Sequence, residues 1–330
     1  MKHARNSRQY CVALTAMALA LAAFTGCGKG GGSALKKNEG KIVVGFSQMG
    51  VDNTWRVAET KSMKDEAARR SDKYELVYTD AGADTARQIK DVEGMIARGV
   101  SAIFLAPREA QVFGPTLRAA RDARIPVFLI DREVDGRAGE DFVTFIGSNF
   151  VEEGRRTGEW LVRQTQGRAG IVEVLGTPNA SAARDRHEGF ADAIKNSPDM
   201  KILASQTGNF TRAGGQSAMA SMIKDYGKAI TAVFAHNDEM ALGVIQALKD
   251  AGMKPGRDVL IVSVDGQRSA LDAIRRGEMN VTVECNPRFG PIAFDTLEKF
   301  LKGESIPPKI IVPDRFFDAG NAAQFIGEAY

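Results

Sequence analysis

Short, nearly unbroken apolar runs of β-type residues recur along the 330-residue chain, and most are followed by a stretch of helical period. Residues 125–130 (IPVFLI), 231–235 (TAVFA) and 259–264 (VLIVSV) are the clearest. A strand that is apolar on both faces must be covered on both, and a helix after each strand supplies the cover. The pattern predicts an α/β protein with parallel sheets. The runs also end on polar residues: Asp131–Arg132, His236–Asn237–Asp238 and Asp265–Gly266, with Ser47–Gln48 after the first run and Asn53, Trp55 and Arg56 close behind. Parallel strands gather their C-terminal ends on one edge of a sheet, where open α/β sheets bind ligands. One polar, partly aromatic cleft fed by many separate segments is therefore expected.

Residues 1–27 read as an export signal rather than as part of the fold. Lys2, Arg5 and Arg8 form a basic start, and residues 11–24 are apolar but too short for a stop-transfer span. The stretch ends in Phe24-Thr25-Gly26-Cys27, similar to the lipobox of bacterial lipoproteins, with Phe24 where leucine is usual. In that motif the cysteine is acylated and becomes the mature N-terminus. Lipidation of Cys27 is thus expected, with the protein held in the periplasm or cell envelope. Gly28 to Ser33 (GKGGGS) opens a flexible tether read over residues 28–40. One acyl chain on a tether anchors a protein to a membrane without spanning it.

The signal holds three of the 44 basic residues and none of the 41 acidic ones, so the remaining chain is balanced, 41 against 41. That balance gives no argument for nucleic acid. Of the three cysteines, Cys11 lies in the signal and Cys27 in the lipobox, which leaves Cys285 without a disulfide partner.

Strands are expected at 42–46, 75–79, 102–106, 127–130 and 143–146, then at 171–175, 202–205, 232–235, 260–264 and 281–284. The alternation breaks near residues 147–149 and again near 286–287, and ten-plus strands are too many for one sheet. Two doubly wound lobes follow, of five or six strands each. Residues 41–147 plus 287–313 form the N-terminal lobe, and 148–286 plus 314–330 the C-terminal lobe. The third crossing falls near residues 312–315, which makes a three-segment hinge.

Nucleotide and catalytic chemistry are poorly represented. There is no G-x-x-x-x-G-K-[ST], no strand-end G-x-G-x-x-G, no G-x-S-x-G, no HExxH and no CxxC pair. No cofactor or metal is expected. His187 and His236 are the histidines outside the signal. His236 stands at a strand end, where it is read as a ligand hydrogen bonder or structural group, with general base as the alternative. His187, beside Arg186 and Glu188, reads as a solvated surface group.

Hydroxyl recognition fits the strand ends better. Carboxylates accept hydrogen bonds, guanidinium groups donate in a planar fork, and side-chain amides do both. Asp131, Arg132, Arg186, Asn237 and Asp265 supply that mixture, and Trp55 and Phe210 offer faces for the C–H side of a sugar ring. Each has a plainer alternative. Asp131, Asp238 and Asp265 are also natural helix N-caps, Arg184 rivals Arg186, and the aromatics also suit a core.

At these residues the chain resembles the type I periplasmic sugar-binding proteins of ABC importers, of the ribose-binding class. The resemblance runs from about Lys41 to the C-terminus and rests on FLIDR (128–132), ARDRHEGF (183–190), FAHNDEMALG (234–243) and SVDG (263–266). Trp55-Arg56, Phe-Thr-Arg at 210–212 and His236 before Asn-Asp resemble the galactofuranose-binding branch, whereas ribose binders carry two phenylalanines and a glutamine at the corresponding places. The resemblance implies sugar contacts from Asn53, Trp55, Arg56, Asp131, Arg132, Arg186, Phe210, Asn237 and Asp265. Cys285 stands where ribose binders use glutamine. Cys285, His236 and Glu284 are additional cleft residues, with Asn286 a further stand-in for the missing glutamine.

By this resemblance a monomeric extracytoplasmic protein closes its lobes on a monosaccharide, galactofuranose-like or another aldose, and delivers it to a membrane permease, with no enzymatic step. A chemoreceptor is a compatible second partner. The same fold serves as the sugar-sensing effector domain of lactose-repressor-type regulators, but these need an N-terminal helix-turn-helix where this chain has its apolar signal. An enzyme acting on sugars lacks a coherent acid–base pair.

Overall fold

The computed structural model describes residues 37–330. The expected export signal, Cys27 and most of the expected tether lie outside the described residues. The last tether residues belong to the fold: Lys37–Asn38 (β1) pairs antiparallel with the strand that follows.

From there the chain runs β2 (Lys41–Gln48), α1 (Thr54–Arg69), β3 (Tyr74–Asp80), α2 (Thr85–Ala97), β4 (Ala102–Ala106), α3 (Gly114–Asp122), β5 (Val127–Ile130) and β6 (Thr144–Gly147). A second series follows: α4 (Phe150–Thr165), β7 (Arg168–Leu175), α5 (Ser181–Ile194), β8 (Asp199–Thr207), α6 (Arg212–Tyr226), β9 (Ala232–Ala235), α7 (Asp238–Asp250), β10 (Leu260–Asp265), α8 (Arg268–Arg275) and β11 (Val281–Glu284). The end of the chain adds α9 (Gly290–Leu301), β12 (Lys309–Ile311), β13 (Phe316–Asp318) and α10 (Ala322–Phe325).

Two sheets result. One joins β1, β2, β4, β5, β6 and β12 in that order, with β3 on β2; the other runs β13-β11-β10-β9-β7-β8. The pairings are parallel except those of β1 and β13, which are antiparallel additions the sequence pattern does not announce. The chain passes between sheets three times: after β6, after β11, and between β12 and β13. All residues of β4, β5 and β9 are buried, as the unbroken apolar runs require. Aromatic rings fill the space under the helices, with Phe104 5.6 Å from Phe128 and Phe190 stacked on Phe234 at 4.4 Å.

The helices α4 and α5 lie unusually close because glycines face them. A Cβ on Gly154 would stand 2.1 Å from the Arg186 carbonyl oxygen, and one on Gly189 would stand 1.9 Å from that of Val151. This contact sets the height of Arg186 over its sheet. Among the described residues no helix is long and apolar enough to cross a membrane.

Candidate functional site

Eleven residues from both lobes surround one small cavity. They are Asn53, Trp55, Arg56, Asp131, Arg132, Ala182, Arg186, Phe210, Asn237, Asp265 and Cys285. All nine residues read from the sequence as ligand contacts are there, together with Cys285 and an alanine that carries no chemical signal.

On the first lobe, Asn53 caps α1 by accepting from the Arg56 backbone N–H at 2.9 Å. The cap starts the helix so that Trp55 and Arg56 lie in its first turn, at the cavity. Arg56 donates to Asp131 (2.5 Å) and to Glu59 (2.8 Å), and its guanidinium lies 4.7 Å from the Trp55 ring centre. Burial works against the Arg56 charge, but Asp131 and Glu59 outweigh it and raise the guanidinium pKa. Burial holds the Glu59 carboxyl above its ordinary range, with Arg56 opposing.

Asp131 directly follows β5 with φ of 65°, a left-handed conformation uncommon outside glycine, asparagine and aspartate. Arg132 follows it, donating to the Arg108 carbonyl at 2.9 Å and covering the Phe210 ring of the opposite lobe at 5.1 Å. Its buried Nε finds no hydrogen-bond partner. Burial, then the neighbouring Arg56, pushes the Arg132 pKa down to about 9, with Asp131 opposing.

On the second lobe Arg186 is gripped from behind. Its Nε donates to Glu153 and its Nη1 to the His236 carbonyl, both at 2.7 Å, while Nη2 stands 3.8 Å from Asp265. A buried charge is tolerable only when paired in this way. Its rival Arg184 is exposed and pairs with neighbouring Asp185. Asn237 caps α7 through Met240 N–H and donates its amide to the Phe210 carbonyl at 3.2 Å. Phe210 itself has φ of 61°, a strained value for a bulky residue, and its ring fills space that exists because residue 176 is glycine. A Cβ there would sit 2.0 Å from the ring. Asp265 ends β10 at φ of 133°, and burial raises its carboxyl pKa, opposed by Arg186.

None of the three strand-end aspartates weighed as N-caps serves as one: α7 is capped by Asn237, and α8, after Asp265, has Gln267 at its N-cap position without a side-chain cap bond. Asp238 lies inside α7, buried, accepting from Ser263, Thr282 and the Gln267 backbone N–H.

Two proposed additional residues are not in the lining. The His236 ring is buried behind the cavity, bonded through Nε2 to Glu173 at 2.9 Å and accepting at Nδ1 from Gly176 N–H. What it lends the site is its carbonyl. Glu284 is turned away into a two-pronged pair with Arg315, and Asn286 takes part in the chain crossings. His187, read as a solvated group, is half-exposed but shares Glu173 with His236. Sequence reasoning also passed over the buried acids Glu59, Glu153 and Glu173, which aim the arginines and the histidine. The Cys285 thiol is buried and its pKa raised by burial and Glu153, so it presents a neutral, weakly polar surface.

The lobes also touch around the cavity rim. Trp55 Nε1 donates to the Cys285 carbonyl at 2.7 Å, and Thr54 donates to Gln267 at 2.6 Å. On the other side the Glu133 N–H donates to Ser181 at 3.0 Å and Ala110 N–H to the Asn179 carbonyl at 3.1 Å. Every charged lining residue is at most 5% exposed. This is the closed arrangement of the two lobes.

Residues 44–305 match the family model of the periplasmic binding protein domain. The chain is 44% identical over 272 residues to the galactofuranose-binding protein YtfQ of Escherichia coli, covering 82% of this chain and 85% of that one. The arabinose-transporter binding protein of Shewanella, solved with α- and β-L-arabinofuranose, superposes with a TM-score of 0.83 at 42% identity, covering 87% and 95% of the two chains. A Mycobacterium smegmatis protein in complex with β-D-fucofuranose gives 0.83 at 38% identity over 87% and 94%.

Proposed function

Because the chain belongs to the periplasmic binding protein domain family, we propose that it is the extracytoplasmic sugar-binding component of an ABC importer and clamps one monosaccharide, in its furanose form, between its lobes. The observation that carries this reading is the composition of the cavity: three arginines, two aspartates, two asparagines, and one aromatic ring from each lobe. Guanidinium and carboxylate groups satisfy hydroxyls as donor and acceptor, and the two rings cover the C–H faces. The furanose form is drawn from the three relatives above, one named for a furanose sugar and two solved with one bound.

Binding is coupled to motion because the contacts are divided between lobes. A ligand touching both favours the closed form, whereas one touching a single lobe has no preference. Hinge closure of this kind is the established behaviour of periplasmic binding proteins as a class. We take the hinge to be the three crossings at residues 147–148, 286–287 and 313–314. The loaded, closed monomer then presents both rims to a membrane permease, and release there completes the cycle with no covalent step. A thermal-shift panel of pentoses and hexoses tests the ligand class. L-arabinose, D-galactose or D-fucose is expected to raise the melting temperature by several degrees at ~100 Kd, and no shift with any monosaccharide would sink the reading.

Export and anchoring complete the proposal: the signal is removed and Cys27 carries the lipid. Intact-mass analysis of membrane-fraction protein is expected to show a diacyl or triacyl cysteine at the N-terminus. Cleavage at another bond, or an unmodified Cys27, rules the anchor out.

A further inference from the structure

The sugar site leaves one carboxyl at the hinge unused. Asp314 lies in the third crossing, between β12 and β13. Its Oδ1 accepts from the Ser148 hydroxyl at 3.0 Å and from the Asn286 backbone N–H at 3.2 Å. Ser148 is in the first crossing and Asn286 in the second, so one carboxyl oxygen joins all three segments on which the lobes turn. The segments are otherwise held pairwise by backbone bonds, Val312 N–H to the Gly147 carbonyl at 2.9 Å and Glu284 N–H to the Arg315 carbonyl at 2.8 Å. The Asp314 carbonyl in turn accepts from Arg156 of α4 at 2.9 Å, tying the third crossing to the second lobe.

We propose that Asp314 is a positioning residue for ligand capture: by holding the three crossings together through one carboxyl oxygen, it fixes the hinge geometry of the closed form and so sets how tightly the lobes hold the sugar. The claim rests on the sugar-clamp reading above for its ligand, but not for its geometry.

The surroundings also couple this device to protons. Glu153 and Arg156 face Asp314 from α4, Glu284 and Cys285 stand on the β11 side, and Arg315 is engaged by Glu284 and Glu328. Burial, followed by repulsion from Glu153, lifts the Asp314 carboxyl from 3.8 to about 8 in the closed arrangement. An opened hinge admits water and lowers that value, so closing takes up a proton. The sign follows from linkage: the closed form is favoured fully at low pH, and the advantage is lost as pH rises through about 8. Asparagine at this position keeps the accepting oxygen and cannot ionise, whereas alanine removes the junction.

The test titrates wild type, Asp314→Asn and Asp314→Ala with L-arabinose by calorimetry at pH 6 and pH 9, and follows backbone hydrogen exchange at residues 147–149 and 284–287 without sugar. Wild type is expected to bind about threefold or more weakly at pH 9 than at pH 6, and Asp314→Asn to lose clearly less affinity over the same range, the remainder belonging to other groups such as Arg132, whose pKa is pushed down to about 9. Asp314→Ala is expected to bind at least about fivefold more weakly than wild type at pH 6 and to exchange faster at those residues. An Asp314→Ala affinity equal to wild type, or an Asp314→Asn that keeps the wild-type pH dependence, overturns the proposal. Should wild type bind no L-arabinose, the ligand assignment fails by itself, and exchange decides the hinge claim: unchanged protection in Asp314→Ala refutes it. If Asp314→Ala does not fold, Ser148→Ala removes one arm, and the same faster exchange and weaker binding are required of it.

Discussion

Replacing Arg132 by alanine is expected to weaken sugar binding at least tenfold, about 1.4 kcal/mol or more, while the sugar-free protein melts no lower than wild type. Two features make this residue sensitive. Its guanidinium reaches from one lobe to the Phe210 ring of the other, so its contribution belongs to the closed form. Its buried Nε has no hydrogen-bond partner, only Asp131 at 3.7 Å, and burial with Arg56 nearby already pushes its pKa down to about 9. The site is therefore short of an acceptor at this point, and a ligand hydroxyl supplies one. A charge-assisted bond made only on binding contributes fully to affinity. The sugar-free protein loses a poorly compensated buried cation, which costs it little or nothing. Arg132→Lys is not expected to rescue binding, because an ammonium neither covers the ring nor presents the fork. Calorimetry decides the matter, and an unchanged Kd for Arg132→Ala would remove this side chain from the site.

The largest effect on stability is expected from Gly154→Ala. The added methyl would stand 2.1 Å from the Arg186 carbonyl oxygen and 2.9 Å from its carbonyl carbon, both backbone atoms of the packed helix α5. Neither can rotate away, so α4 and α5 must separate. Overpacking of this kind costs about 1–3 kcal/mol, equivalent to a fall of roughly 2–5 °C in melting temperature for a protein of this size. Since Arg186 is displaced with the helix, affinity should fall as well. Gly94→Ala is the control: it lies in α2 with nothing within 4 Å of the new methyl. That change should leave stability unchanged or raise it by up to ~1 kcal/mol. Equal melting temperatures for the two variants would contradict the account of how α5 is held.

The cavity wall was legible in the sequence because parallel-sheet physics puts strand ends in one place. Runs such as 127–130 and 232–235 must be strands if both faces are covered, and Asp131, Arg132 and Asn237 follow them directly. The supports were not legible. Glu59 lies one turn beyond Arg56 on a helix whose buried stripe includes Arg56, Glu59 and Glu66, so its apolar period is weak. Glu153 reads as an ordinary acid in the first turn of α4, and only the closeness permitted by Gly154 and Gly189 brings it to Arg186. Phe210 depends on a glycine at 176, far away in the chain. The strands β12 and β13 have three residues each, too few for a two-residue period to register. Conversely, the stretch 312–315, expected as the third crossing, contains the hinge carboxyl of Asp314.

The central claim is that one monosaccharide is held between the lobes by both at once. Calorimetric titration of the purified protein with L-arabinose, D-galactose, D-fucose and D-ribose tests it most directly. For at least one of the first three, the expected result is saturable binding of one sugar per chain, with Kd of about 1 μM or tighter. The heat-capacity change should be negative, as burial of apolar surface on closure requires. Heats of dilution alone for all four sugars would contradict the account.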